Sequence, residues 1–93
     1  MRRRFIVRGM VQGVNFRNAA VAEARGLGLT GRVWNQRDGA VGCVAEGDVG
    51  ALDRFSAWLA RGPRSARVAG VERGDLGDDA IYQDFRIAWE AAD

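Results

Sequence analysis

Residues 4–17 read RFIVRGMVQGVNFR, and the pattern changes twice within that stretch. Arg4 to Val11 is rich in Phe, Ile and Val, which predicts a β-strand. Gly9 and Gly13 bracket a loop at its end. Beyond the loop, Phe16, Ala20, Ala24 and Leu27 recur at spacings of four, four and three, which places them on one face of a helix. Gly26 and Gly28 end that helix. The opening unit is therefore strand, glycine loop, helix.

The rest of the chain extends this unit. Leu29 to Asn35 predicts a second strand and Ala40 to Glu46 a third. Between them Asn35-Gln36-Arg37-Asp38-Gly39 has hairpin chemistry, with Asp38 and Gly39 forming the turn. Asp48 is expected to cap a second helix, whose apolar face carries Leu52, Phe55 and Leu59 with Trp58 beside them. Gly62 and Pro63 close it. Ala66 to Arg73 predicts a fourth strand, Gly74 to Asp79 a polar loop, and Ile81 to Trp89 a last strand. In that last strand Tyr82, Asp84, Arg86 and Ala88 alternate against Ile81, Phe85, Ile87 and Trp89, and Glu90 to Asp93 form a frayed tail.

The order is β-α-β-β-α-β with an extra strand near the end. Two helices on one face of a mostly antiparallel sheet make an α+β, ferredoxin-like sandwich. The 93 residues suffice for one compact domain, expected to span residues 1–93. No internal repeat or low-complexity segment interrupts it. Such a plan hosts many activities, so function must be read from particular residues.

Composition removes several chemistries. There is no histidine, and all fourteen basic residues are arginine. Without histidine there is no Ser-His-Asp or Cys-His machinery; without lysine there is no Walker-type phosphate loop and no Schiff base. The single cysteine, Cys43, forms no internal disulfide, and with no histidine it cannot supply a common zinc site. No metal and no cofactor are expected. The net charge of +2 is weak evidence for nucleic-acid binding despite a pI near 9.5. The apolar run after Met1-Arg2-Arg3-Arg4 is broken by Arg8 and Gln12, so no secretory leader is expected, and no stretch reaches transmembrane length. A soluble, cytoplasmic protein without a membrane partner is expected.

The first loop has the makings of an anion cradle. A helix N-terminus carries unpaired N–H groups and partial positive charge, and glycines let successive N–H groups converge. Such a place binds phosphate readily. Arg17 stands in the first turn, where a cation is mildly unfavourable unless an anion is bound, and its guanidinium can grip two phosphate oxygens at once. Asn35 ends the second strand, which runs back toward the loop. On these residues alone, Arg17 pointing into solvent and Asn35 serving only the turn remain open readings.

Two blocks carry a resemblance. Val11-Gln12-Gly13-Val14-Asn15-Phe16-Arg17 resembles the V-Q-G-V-x-F-R signature of the acylphosphatases, and Leu27 to Asn35 with Asp38-Gly39-Ala40-Val41 resembles their L-G-L-x-G-x-V-x-N-x-x-D-G-x-V block. Gly62-Pro63 and Phe85-Arg86-Ile87 also fit, so the likeness spans nearly the whole chain. It implies the same ferredoxin-like fold. It also implies hydrolysis of acyl phosphates to a carboxylate and inorganic phosphate. The phosphate-binding arginine of the family matches Arg17, the water-orienting asparagine matches Asn35, and the backbone N–H cradle falls on Gln12, Gly13, Val14, Asn15, Phe16 and Arg17. The family often has an aromatic residue where Arg32 stands and a basic one where Trp34 stands, and usually ends with tyrosine where Trp89 stands. The first exchange is expected to alter the strand face opposite Val33 and Asn35, which leaves substrate preference open; the second is expected to be a packing change.

The chemistry suits a chain without histidine. An acyl phosphate releases a carboxylate whose conjugate acid has a pKa of roughly 4, so no proton donor is needed. The alternative is a phosphate- or anion-binding module without catalysis. Single-stranded nucleic-acid binding would need aromatics on the sheet face, and the third strand has none. A metal chaperone would need a Cys-x-x-Cys pair. A monomer is the default. Cys43 reads as a small buried strand residue, Asp38 as a turn former, and Trp34, Trp58 and Trp89 as packing groups.

Overall fold

The computed structural model describes residues 1–89. The elements are β1 (Arg2–Met10), α1 (Phe16–Gly26), β2 (Thr30–Asn35), β3 (Val41–Glu46), α2 (Val49–Arg61), β4 (Arg67–Gly77) and β5 (Phe85–Ile87). The strands form one sheet in the order β4-β1-β3-β2-β5, antiparallel throughout except for the parallel pair β2 and β5. This is the βαββαβ plan with one additional short strand.

The alternation of strand side chains explains the layers. Phe5, Val7, Val33, Val41, Cys43 and Ala45 face Phe16, Ala20, Ala24, Leu52, Phe55 and Leu59 of the two helices. Phe55 is the hub of this layer, with edge-on contacts to Phe5 and Phe85 and a parallel stack on Trp58. Burying one such aromatic contributes about 1.5–3 kcal/mol. Central β3 is buried along its whole length, because its other face is covered as well. There the Trp34 indole lies on Gly42, where any β-carbon would collide with the ring.

Three expectations need correction. β4 does not stop at Arg73: it pairs with β1 through Gly77, so most of the expected polar loop is strand. Its residues read as loop because this edge strand is largely exposed. The last strand does not begin at Ile81 but holds only Phe85–Ile87. The N–H groups of Ile81 and Tyr82 donate instead to the Glu46 carboxylate, both at 2.9 Å, and so leave the ladder. Asp48 does stand at the N-cap of α2, but its side chain makes no capping hydrogen bond there. The tail from Glu90 to Asp93 lies outside the described residues.

Candidate active site

The segment between β1 and α1 turns sharply. Gly13 has φ 75° and Asn15 φ 64°, and Asn15 is the sole non-glycine residue with positive φ among those described. Asparagine tolerates this left-handed conformation better than most residues, and left-handed residues in a loop turn successive N–H groups inward. The Asn15 side chain accepts a hydrogen bond from Asn18 Nδ2 at 2.9 Å and does not cap α1. No acidic residue stands in the first turn of α1 either. The helix start therefore keeps its donors and its partial positive charge.

A cavity of about 140 Å³ opens at this point, lined by Val11, Gly13, Asn15, Phe16, Arg17, Asn18, Asn35 and Ile87. The structure thus brings together Arg17 and Asn35, eighteen residues apart in the chain, beside Gly13, Asn15 and Phe16 of the loop. Gln12 and Val14 belong to the same loop but do not line the cavity. Arg17 is half-buried and forms no hydrogen bond or ion pair among the described residues. Asn35 Oδ1 is buried and likewise without a hydrogen-bond partner among them. An unpaired buried acceptor is costly, and such atoms are concentrated where a ligand or water is to be held.

Two features of the site were not read from the sequence. The Gln12 side chain, and not only its backbone, has a part: Nε2 donates to the Gln36 carbonyl at 2.6 Å and to the Ala40 carbonyl at 2.9 Å, tying the loop to the hairpin that carries Asn35. Trp89 is not a packing group. It is 85% exposed, and the Arg17 guanidinium lies 5.5 Å from the centre of its ring. The other expected packing residues behave as such: Trp34 is buried, and Trp58 rests against Phe55 and Phe16.

Arg32 and Trp34 do not line the cavity. Arg32 donates to Asp84 and lies over the Tyr82 ring at 4.5 Å, so the exchanged pair shapes the far face of the sheet. Asp38 forms its turn by accepting the Ala40 N–H, as expected. Cys43 is fully buried, and burial pushes its thiol well above the ordinary range, away from nucleophilic use.

Fold and cavity together define a two-layer α+β sandwich with a strand–loop–helix crevice of the kind that receives an anion. The acylphosphatase family profile matches residues 3–87. An acylphosphatase of Mannheimia succiniciproducens is 48% identical over 87 residues, covering 94% of this chain and 97% of the relative. Among solved structures, the acylphosphatase of Bacillus subtilis superimposes with a TM-score of 0.91 at 33% identity, over 95% of this chain and 98% of its own. That of Coxiella burnetii gives 0.88 at 36% identity, over 94% of this chain and 90% of its own. The chain belongs to the acylphosphatase family. Its activity is the hydrolysis of acyl phosphates to a carboxylate and inorganic phosphate, and a purely anion-binding module is not favoured.

Proposed function

We propose that residues 1–93 act as one catalytic domain in which Arg17 and the backbone N–H groups of Gln12, Gly13, Val14, Asn15, Phe16 and Arg17 hold the phosphoryl group, while Asn35 orients the attacking water. The observation that carries this reading is the shared cavity of Arg17 and Asn35, with a buried, unpaired Asn35 Oδ1. That oxygen is a hydrogen-bond acceptor for one water proton. The water oxygen bonds to phosphorus as the bond from phosphorus to the acyl oxygen breaks, and the electron pair leaves on the carboxylate. Positioning and charge stabilisation supply most of what phosphoryl transfer needs. Arg17 and the N–H groups balance the charge on the phosphoryl oxygens.

Among the described residues no side chain lining the cavity is a carboxylate, so in this reading the water's proton passes to a phosphoryl oxygen of the substrate. In this reading no metal or cofactor takes part, because the leaving group is already weakly basic. The protein works as a cytoplasmic monomer, without nucleic-acid or membrane partners. Among the described residues no helix is long and apolar enough to cross a membrane.

The test is hydrolysis of a simple acyl phosphate by purified protein with a chelator present, beside the Arg17→Ala variant. Turnover that persists in chelator and disappears in a folded Arg17→Ala protein supports the site and its metal independence. Turnover lost to chelator overturns the metal-free mechanism. An active Arg17→Ala protein overturns the assignment of Arg17.

A further inference from the structure

Among the described residues, Arg2, Arg3, Arg8, Arg32 and Arg86 form ion pairs with carboxylates. Arg17 does not. Its one side-chain partner among the described residues is the Trp89 ring, 5.5 Å away. The register explains how Trp89 arrives there. β5 runs parallel to β2, with Val33 opposite Ile87, and the Ala88 N–H extends the ladder by donating to the Val33 carbonyl at 2.8 Å. The next residue is Trp89, whose ring lies beside Arg17, a residue that lines the cavity.

The type of partner matters chemically. A carboxylate would occupy guanidinium N–H donors and cancel the charge that a phosphoryl group needs. An aromatic face attracts the cation through its quadrupole without neutralising its charge. The Arg17 N–H donors, which can grip oxygens two at a time, make no hydrogen bond among the described residues. Packing does not account for Trp89, because the side chain is 85% exposed.

Resting on the reading that Arg17 binds phosphate, we propose that Trp89 is a positioning residue, whose indole holds the Arg17 guanidinium ready for the phosphoryl group without neutralising it. Ordering Arg17 before the ligand arrives lowers the conformational cost of binding. The effect is expected on affinity, since the contact orders Arg17 in the free protein.

The experiment compares wild type with Trp89→Leu, Trp89→Phe and Arg17→Ala. It measures the Kd of inorganic phosphate, kcat and KM for a simple acyl phosphate, and Tm. Trp89→Leu keeps an apolar side chain but has no ring. It is expected to raise both Kd and KM about two- to five-fold, with kcat and Tm nearly constant. Trp89→Phe is expected to recover most of the loss. Phosphate should also perturb the emission of the exposed indole in wild type and not in Arg17→Ala. A Trp89→Leu protein with wild-type Kd overturns the inference, and so does one in which KM rises while the phosphate Kd stays put, because the indole would then be touching the acyl group. Phosphate binding that survives Arg17→Ala overturns the underlying site reading as well; binding lost in Arg17→Ala but intact in Trp89→Leu overturns this inference alone.

Discussion

Gln12 reaches across twenty-four residues of sequence to donate its Nε2 hydrogen to the carbonyl of Gln36, at 2.6 Å, and a second to Ala40 at 2.9 Å. Gln36 directly follows Asn35, so this clamp fixes the distance between the cradle loop and the residue assigned to the water. Gln12→Met keeps the length of the side chain and removes both donors. Each lost bond costs about 0.5–1.5 kcal/mol of stability. A drop in kcat well beyond any change in KM is expected, since the cradle itself survives. A variant with lower Tm and unaltered kcat would mean that the clamp serves the fold alone.

Asn35→Ala separates catalysis from stability. The Asn35 Oδ1 atom has no partner among the described residues, so its removal orphans no other group. The Tm is therefore expected to stay constant or rise, as at sites where function is kept at the expense of stability. The kcat should fall by about 10²–10³, the scale of a lost group that acts in the transition state, with KM moving far less. Equal losses of affinity in Asn35→Ala and Arg17→Ala would contradict the division of roles.

Glu46 contributes to the acid limit. Burial pushes its carboxyl upward, but the N–H groups of Ile81 and Tyr82, with Arg2 and Thr30, outweigh that and hold it below the ordinary value of 4.5. A carboxyl depressed by folding adds stability above its unfolded pKa and loses that contribution as the pH falls through the folded one. Unfolding free energy should thus decline as pH drops below about 4.5, and Glu46→Gln should flatten that decline. At neutral pH, Glu46→Ala removes the acceptor of Arg2 Nε, of the Thr30 hydroxyl and of the Ile81 and Tyr82 N–H groups, and is expected to cost about 1–3 kcal/mol. Chemical denaturation across pH checks both.

Gly42→Ala tests the far face. A β-carbon there would come within 2.5 Å of the Trp34 ring. Overpacking of this kind costs about 1–3 kcal/mol. Trp34 does not line the cavity, so kcat and KM of the folded variant should match wild type at a temperature below its reduced Tm.

Local chemistry made much of this protein readable before folding. The apolar faces of α1 and α2, the Asp38-Gly39 turn and the glycine loop ahead of Phe16 each depend on residues a few positions apart, so period and turn preference sufficed. The pairing of Arg17 with Asn35 was legible through family resemblance, while topology alone made it plausible. Asn15 gave a faint signal of its own, as a residue type that accepts positive φ, but nothing nearby said that the backbone would require it.

What only the tertiary structure decided has a common physical cause: the partner is distant in sequence. β4 reaches Gly77 because β1 offers a ladder to pair with, though its exposed residues read as loop. The last strand shrinks to Phe85–Ile87 because Glu46, thirty-five residues from Ile81, captures the N–H groups expected of a strand. Gln12 reads only as a backbone donor of the cradle until the hairpin carbonyls stand before its side chain. Trp89 reads as core because indole is apolar, and only the parallel register of β5 on β2 places it in the open against Arg17. The sequence by itself determined the elements and the chemical groups of the site; the sheet determined which of those groups meet, because hydrogen bonds and ring contacts act over a few ångströms, whatever the separation along the chain.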